Sequence, residues 1–184
     1  MDSRRSEGWV YLAAFGASIP LSNWMLGHVG VMCSDTGPCL LPVGPGLFAP
    51  SGVLVVGLAL VLRDLVQRRL GKGWTLGAIA VGALLSALLA PPALVVASAG
   101  AFTVSELADF AVYTPLQRRG LVLAVLASSV VGLVVDSVLF LQLAFGGLDF
   151  LAGQVLGKAW MVLLSLPLMS WLRRRDERLG IQPA

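Results

Sequence analysis

The sequence predicts an all-α, polytopic membrane protein of six transmembrane helices with both termini cytoplasmic, and three observations predict it. Of 184 residues, 57% are hydrophobic and only 12% charged, with a mean hydropathy of +0.86. A soluble domain of this length has too little interior to hide that much apolar surface. Apolar runs of about 20 residues, the length that crosses a bilayer as a helix, recur six times. The basic residues form short clusters flanking alternate runs. Despite a pI of 9.3, this is a topology pattern and not a phosphate-binding face.

The first span, about 8–27, follows Arg4 and Arg5. It is too long for a signal-peptide core and lacks a clean small-x-small cleavage site, so it reads as a helix that stays in the membrane. A loop over 29–50, rich in Gly and Pro, breaks any helix before the second span at 51–70. The third is 74–90. Pro91-Pro92 makes a tight turn into the fourth, 92–113. The fifth is 119–145 and the sixth 150–172, and all belong to one transmembrane domain over 1–184.

All 13 Lys and Arg residues except Lys158 group with the N-terminus, the 2–3 loop, the 4–5 loop or the C-terminus, Arg63, Arg68 and Arg69 lying toward the inner end of the second span. The 1–2, 3–4 and 5–6 connections hold none. With six spans, the four basic segments share one side, which the positive-inside rule makes cytoplasmic. The 1–2 loop is then outside. It holds Cys33 and Cys39, which either bridge in that oxidising setting or remain two free thiols. His28 is the sole histidine, so no metal site and no cofactor is expected.

Ionisable groups inside hydrocarbon are costly and mark function by default. Glu106 and Asp109 lie on the fourth span, Asp136 on the fifth and Lys158 on the sixth, with Arg63 and Asp64 toward the inner end of the second. Asn23, Gln142 and Gln154 add uncharged polar groups. At about 1.5 Å rise per residue, Asp136 lies roughly 25 Å above the inner face, Lys158 roughly 12 Å below the outer face, and Asn23 about 22 Å up. These form an outer layer; Glu106, Asp109, Arg63 and Asp64 form an inner one. Glu106, Asp109 and Tyr113 follow i, i+3, i+7 spacing and share a helix face.

Each group also has a plainer role. Asp136–Lys158 is either a neutralising ion pair or part of a site. Arg63–Asp64 is either a snorkelling pair at the interface or a gating ion pair. Two acids one turn apart on the fourth span repel unless a cation or donors separate them, which makes Glu106 and Asp109 harder to assign to packing. Gly153 and Gly157 form a small-xxx-small pair that admits a close neighbour, within the chain or in a homodimer.

The segment Arg63-Asp-Leu-Val-Gln, the motif Ser105-Glu-Leu-Ala-Asp-Phe-Ala-Val-Tyr113, Asp136-Ser-Val-Leu-Phe with Ala144-Phe145, and Lys158 occur in that order. From about Asn23 to Arg175 they resemble the VUT family of vitamin uptake transporters, whose characterised members carry queuosine precursors. The chain is short for that family, and Glu106 stands where some members carry Gln. The resemblance implies import of a 7-deazaguanine such as preQ0 or preQ1 across a bacterial cytoplasmic (inner) membrane, with the lipid bilayer and a small-molecule 7-deazapurine as partners and no nucleic acid.

Residue chemistry agrees. A guanine-like edge presents adjacent N–H donors that a carboxylate accepts in bidentate fashion. Glu106 or Asp109 supplies that carboxylate, with Asp136 or Asn23 on the opposite edge and Lys158 nearby. Trp24, Phe102, Tyr113 or Trp160 is available to stack on the ring. The expected mechanism is alternating access around these carboxylates near the bilayer middle. The alternative is a substrate-binding subunit of an energy-coupling vitamin transporter. No GxxxxGK[ST] signature, paired-His motif or Gly-x-Ser-x-Gly elbow occurs, which argues against an ATPase or enzyme.

Overall fold

The computed structural model of the chain describes residues 3–33 and 38–182. It contains six long helices and one hairpin: α1 Ser3–His28, β1 Leu40–Gly44, β2 Leu47–Pro50, α2 Val53–Leu70, α3 Lys72–Leu89, α4 Val95–Leu116, α5 Leu121–Phe145 and α6 Leu151–Leu179. A 3₁₀ turn at Pro92–Leu94 leads into α4, as the Pro91-Pro92 break requires.

Four segments are long and apolar enough to cross a membrane: Lys72–Leu89, Pro92–Leu116, Leu121–Phe145 and Leu151–Leu179. The other two helices are diluted by polar residues. Ser18, Pro20, Ser22 and Asn23 interrupt α1, while α2 carries Arg63, Asp64, Arg68 and Arg69. Those α2 charges are buried, because α2 is the central helix and packs against each of the other five. The most polar helix is thus the best shielded. Around it, α4 packs most extensively on α5, and α1 on α2. The apolar core joins Leu60, Val61 and Leu65 of α2 to Leu121 and Val125 of α5 and Met169 of α6.

Two segments differ from expectation. The arginine-rich stretch after 172 stays helical to Leu179. The loop expected to be irregular forms an antiparallel hairpin pairing Leu40 with Pro50 and Pro42 with Phe48. Its turn needs Gly46, at φ +68°, a left-handed conformation that costs glycine nothing. Cys33 and Cys39 are bridged by a disulfide, which decides between the two thiol states left open by sequence. The hairpin is tied to the end of α1 through Cys39 N–H donating to Leu26 O (2.7 Å) and Ser51 Oγ to Met25 O (2.6 Å).

Small residues bring backbones together at two levels. A Cβ on Gly57 of α2 would sit 2.6 Å from the carbonyl oxygen of Lys158 and 2.7 Å from its Cα. Gly57 therefore fixes how deeply Lys158 enters the bundle. Gly153 lies against the Phe48 carbonyl, and Gly157 against Val53 and Val43. The small-residue pair on α6 is used within the chain, beneath the hairpin, and offers no free face for a homodimer.

At the opposite, basic end, Arg68 and Arg69 of α2 both donate to Asp176 of α6 (2.8–2.9 Å). Arg69 also donates to Glu7 of α1 (2.9 Å), as does Arg175 (2.6 Å). Burial raises the Asp176 carboxyl, but donation from Arg69 and Arg68 more than offsets it and holds the group below its ordinary 3.8. Burial likewise raises the Glu7 carboxyl, but donation from Arg175 and the charges of Arg69 and Arg175 outweigh it and hold the group below its ordinary 4.5. A carboxyl depressed on folding stabilises fully above its unfolded value, and that contribution is lost as pH falls through the folded one. Thermal unfolding in detergent should therefore be flat near neutrality and weaken as pH drops from about 5 toward 2. Asp176→Asn should lower the midpoint at neutral pH and flatten most of the acid limb.

Candidate functional site

Between all six helices, near the hairpin end, lies a cavity of about 80 Å³. Ser18, Ser22 and Asn23 of α1 wall one side, and Gln154 and Lys158 of α6 another. Phe102, Ser105 and Glu106 come from α4, and Asp136 and Phe140 from α5. Gly52 and Leu26 form its rim. The two serines lie one helical turn apart on α1 and line the cavity beside Ile19, their hydroxyls donating to the Phe15 and Ile19 carbonyls (2.6 and 2.9 Å).

The first charged layer sits in this wall. Lys158 Nζ donates to Asp136 Oδ2 (2.6 Å) and to Ser137 Oγ (2.8 Å). Ser105 Oγ lies 3.4 Å from Asp136 Oδ1. Asn23 spends its amide N–H on the Ile19 carbonyl (2.9 Å), and its buried Oδ1 has no hydrogen-bond partner among the described residues.

The second layer closes the floor. Arg63 is fully buried, so it does not snorkel. Its Nε donates to Glu106 Oε2 (3.2 Å) and its Nη1 to Gln67 Oε1 (3.0 Å). Its Nη2 donates to Asp109 Oδ1 and lies 2.9 Å from Asp64 Oδ1. Asp64 Oδ2 accepts from Ser128 Oγ (2.9 Å), and Gln67 Nε2 donates to Thr114 Oγ1 (2.9 Å). The Tyr113 ring lies 5.7 Å from Arg63 Cζ. Gly132 of α5 makes room here, since a Cβ on it would be 2.9 Å from Asp109 Oδ2.

The structure thus brings Asn23, Glu106, Asp136 and Lys158 to the cavity and places Asp109 and Tyr113 one level below, around Arg63 with Asp64. Trp160 is elsewhere: it is 46% exposed, and its indole donates to the Val43 carbonyl (2.9 Å), holding the hairpin. Trp24 is 53% exposed and stacks on His28. Of the aromatics considered from sequence, only Phe102 reaches the cavity, and Phe140 joins it. Sequence reasoning gave no site role to Phe140, Ser18, Ser22, Ser105, Gln67 or Ser128. Periodic polar residues in an apolar helix were the available signal for Ser18 and Ser22; Phe140, Ser105 and Gln67 lie within the segments that carry the family resemblance.

Glu106 is where the layers meet. It lines the cavity and accepts from Arg63 beneath it.

A helical bundle with apolar surfaces, an internal cavity edged by serines and buried charge at its floor fits a multi-pass membrane protein. The family model "Putative vitamin uptake transporter" matches residues 86–172 and indicates transport. That stretch runs from the last turn of α3 through most of α6 and contains Glu106, Asp109, Asp136 and Lys158, but not Arg63 or Asp64. No curated protein and no solved structure matches the chain.

Proposed function

We propose that the chain is a single-polypeptide carrier that imports a 7-deazaguanine, preQ0 or preQ1, across a bacterial inner membrane by alternating access. The observation that supports this most is the position of Glu106: a carboxylate at the floor of a small, serine-edged cavity in the middle of an apolar bundle. A cavity of about 80 Å³ is well below the roughly 300 Å³ of typical ligand sites, which favours a single small ring system over a nucleotide. Half-buried Phe102 and Phe140 are the walls that can yield to a flat ring and stack on it. Glu106 accepts the paired N–H donors of the guanine-like edge, and Asn23 Oδ1 accepts another. The Lys158–Asp136 pair offers one donor and one acceptor to the remaining edge.

In this reading all six helices span the membrane. The polar residues that disqualify α1 and α2 by composition line the cavity or form ion pairs inside the bundle, so they do not meet lipid. The basic end, with Arg68, Arg69, Arg118, Arg119 and Arg175, is cytoplasmic, and the disulfide-linked hairpin is outside.

Binding of preQ0, preQ1 and guanine to the purified protein, followed by calorimetry, tests the proposal. At least one deazaguanine should bind, and Glu106→Gln should weaken it about 10–100-fold, the effect of losing a charge-assisted bidentate contact of about 1.5–3 kcal/mol. Binding of all three at equal strength in wild type and variant would remove Glu106 from the site.

A further inference from the structure

We propose that the Asp64–Asp109 pair beneath the cavity holds an exchangeable proton, and that Glu106 links this proton to the substrate. This deepens the carrier reading and rests on it only for the linkage.

The geometry is specific. Two carboxylates from different helices converge on a single nitrogen, Arg63 Nη2. A third, Glu106, takes Nε of the same guanidinium. Three carboxylates therefore share one positive charge, and Arg63, Asp64 and Asp109 are wholly buried while the Glu106 side chain is 3% exposed. Like charges this close cannot all ionise in an apolar interior, and a shared proton relieves the excess. A metal cation is not a substitute, because the guanidinium already occupies the space between the carboxylates.

A further oxygen points to the same conclusion. Asp109 Oδ2 is buried without a hydrogen-bond partner among the described residues, although Oδ1 of the same group is bonded to Arg63. A proton on Asp109 Oδ2 turns an unpartnered acceptor into a donor.

The charged groups around the pair are Arg63 on α2, Glu106 and Tyr113 on α4, and, on the cavity side, Asp136 of α5 and Lys158 of α6; Arg68 approaches Tyr113 from the basic end. Of these, Glu106 is the one that touches both Arg63 and the cavity. A proton on the Asp pair removes one like charge from beside Glu106 and keeps it an anion, the form that accepts N–H donors. Proton and substrate therefore favour each other's binding, and their reciprocal coupling makes the carrier a symporter.

Infrared spectroscopy on the full-length protein in detergent at neutral pH tests the proton site without any substrate. The proposal expects the carbonyl band of a protonated carboxyl, shifted by deuterium oxide, lost in Asp109→Asn and retained in Asp136→Asn. Absence of the band from the wild type overturns it, whether or not the variants fold, and so does its persistence in both Asp64→Asn and Asp109→Asn. The linkage is read by calorimetric titration of preQ0 and preQ1 in buffers of different ionisation enthalpy, where uptake of a proton with the ligand is expected and its absence overturns coupling. If neither ligand binds while the band is present, the substrate reading fails and the proton site stands.

Discussion

Arg63→Met is expected to be the most destabilising single substitution in the molecule. The methionine fits the space, but three buried carboxylates from α2 and α4 lose their common counter-charge. Breaking a buried ion pair by removing one partner costs about 3–5 kcal/mol, because the other charge stays buried and uncompensated. Here one guanidinium serves Asp64, Glu106, Asp109 and the amide of Gln67, so the loss falls at or above the top of that range. Against a typical total of about 5–15 kcal/mol, many molecules would not fold. Those that do should unfold roughly 6–20 °C lower in detergent. Arg63→Lys should fall between, since an ammonium cannot present the planar fork that reaches four partners. Adding Asp64→Asn and Asp109→Asn to Arg63→Met should recover much of the lost stability. A midpoint for Arg63→Met within a degree or two of wild type would mean the cluster is not the keystone described.

The second large effect separates packing from transport at Lys158. Either Lys158→Met or Asp136→Asn alone leaves a buried charge unpaired and should lower stability by about 3–5 kcal/mol. The double variant removes both charges and should regain most of that stability, because replacing a whole buried pair is often neutral or favourable. Uptake should behave differently. With the donor and acceptor both gone from the cavity wall, the double variant should carry preQ1 at least 100-fold more slowly than wild type, about the cost of two charge-assisted hydrogen bonds. Stability recovered without transport assigns the pair to the site. Recovery of both would make Asp136–Lys158 a tie between α5 and α6 and nothing more.

Much of this arrangement is legible in the sequence, and the residues that are not share a physical reason. Spans three to six are visible because their polar residues are few and their ends carry Pro, Gly or Arg. The two charged layers follow from helical rise alone, which sets Asp136 level with Lys158 and Glu106 level with Arg63. Rise gives height but not azimuth. Tyr113 shares the Glu106 face at i+7, yet two turns place it beside Arg63 rather than in the cavity. Trp160, two residues from Lys158, points to the opposite side and takes a backbone carbonyl of a hairpin that no local pattern announced. Arg63 belongs by position to a basic cluster that sets topology, and only its burial reveals it as the centre of the floor. Arg68 and Arg69 carry the topology signal and also clamp Asp176, so one residue can answer to two constraints that a sequence count treats as one.

The central claim is that this chain alone carries a small deazapurine through the cavity above Arg63. Purified protein reconstituted in liposomes, with labelled preQ0, preQ1 and guanine outside, tests it most directly. Saturable uptake of preQ0 or preQ1, without ATP or any partner protein and lost in Glu106→Gln, is the predicted result. Uptake no faster than in empty liposomes for all three compounds, or uptake that requires an added ATPase, would contradict it.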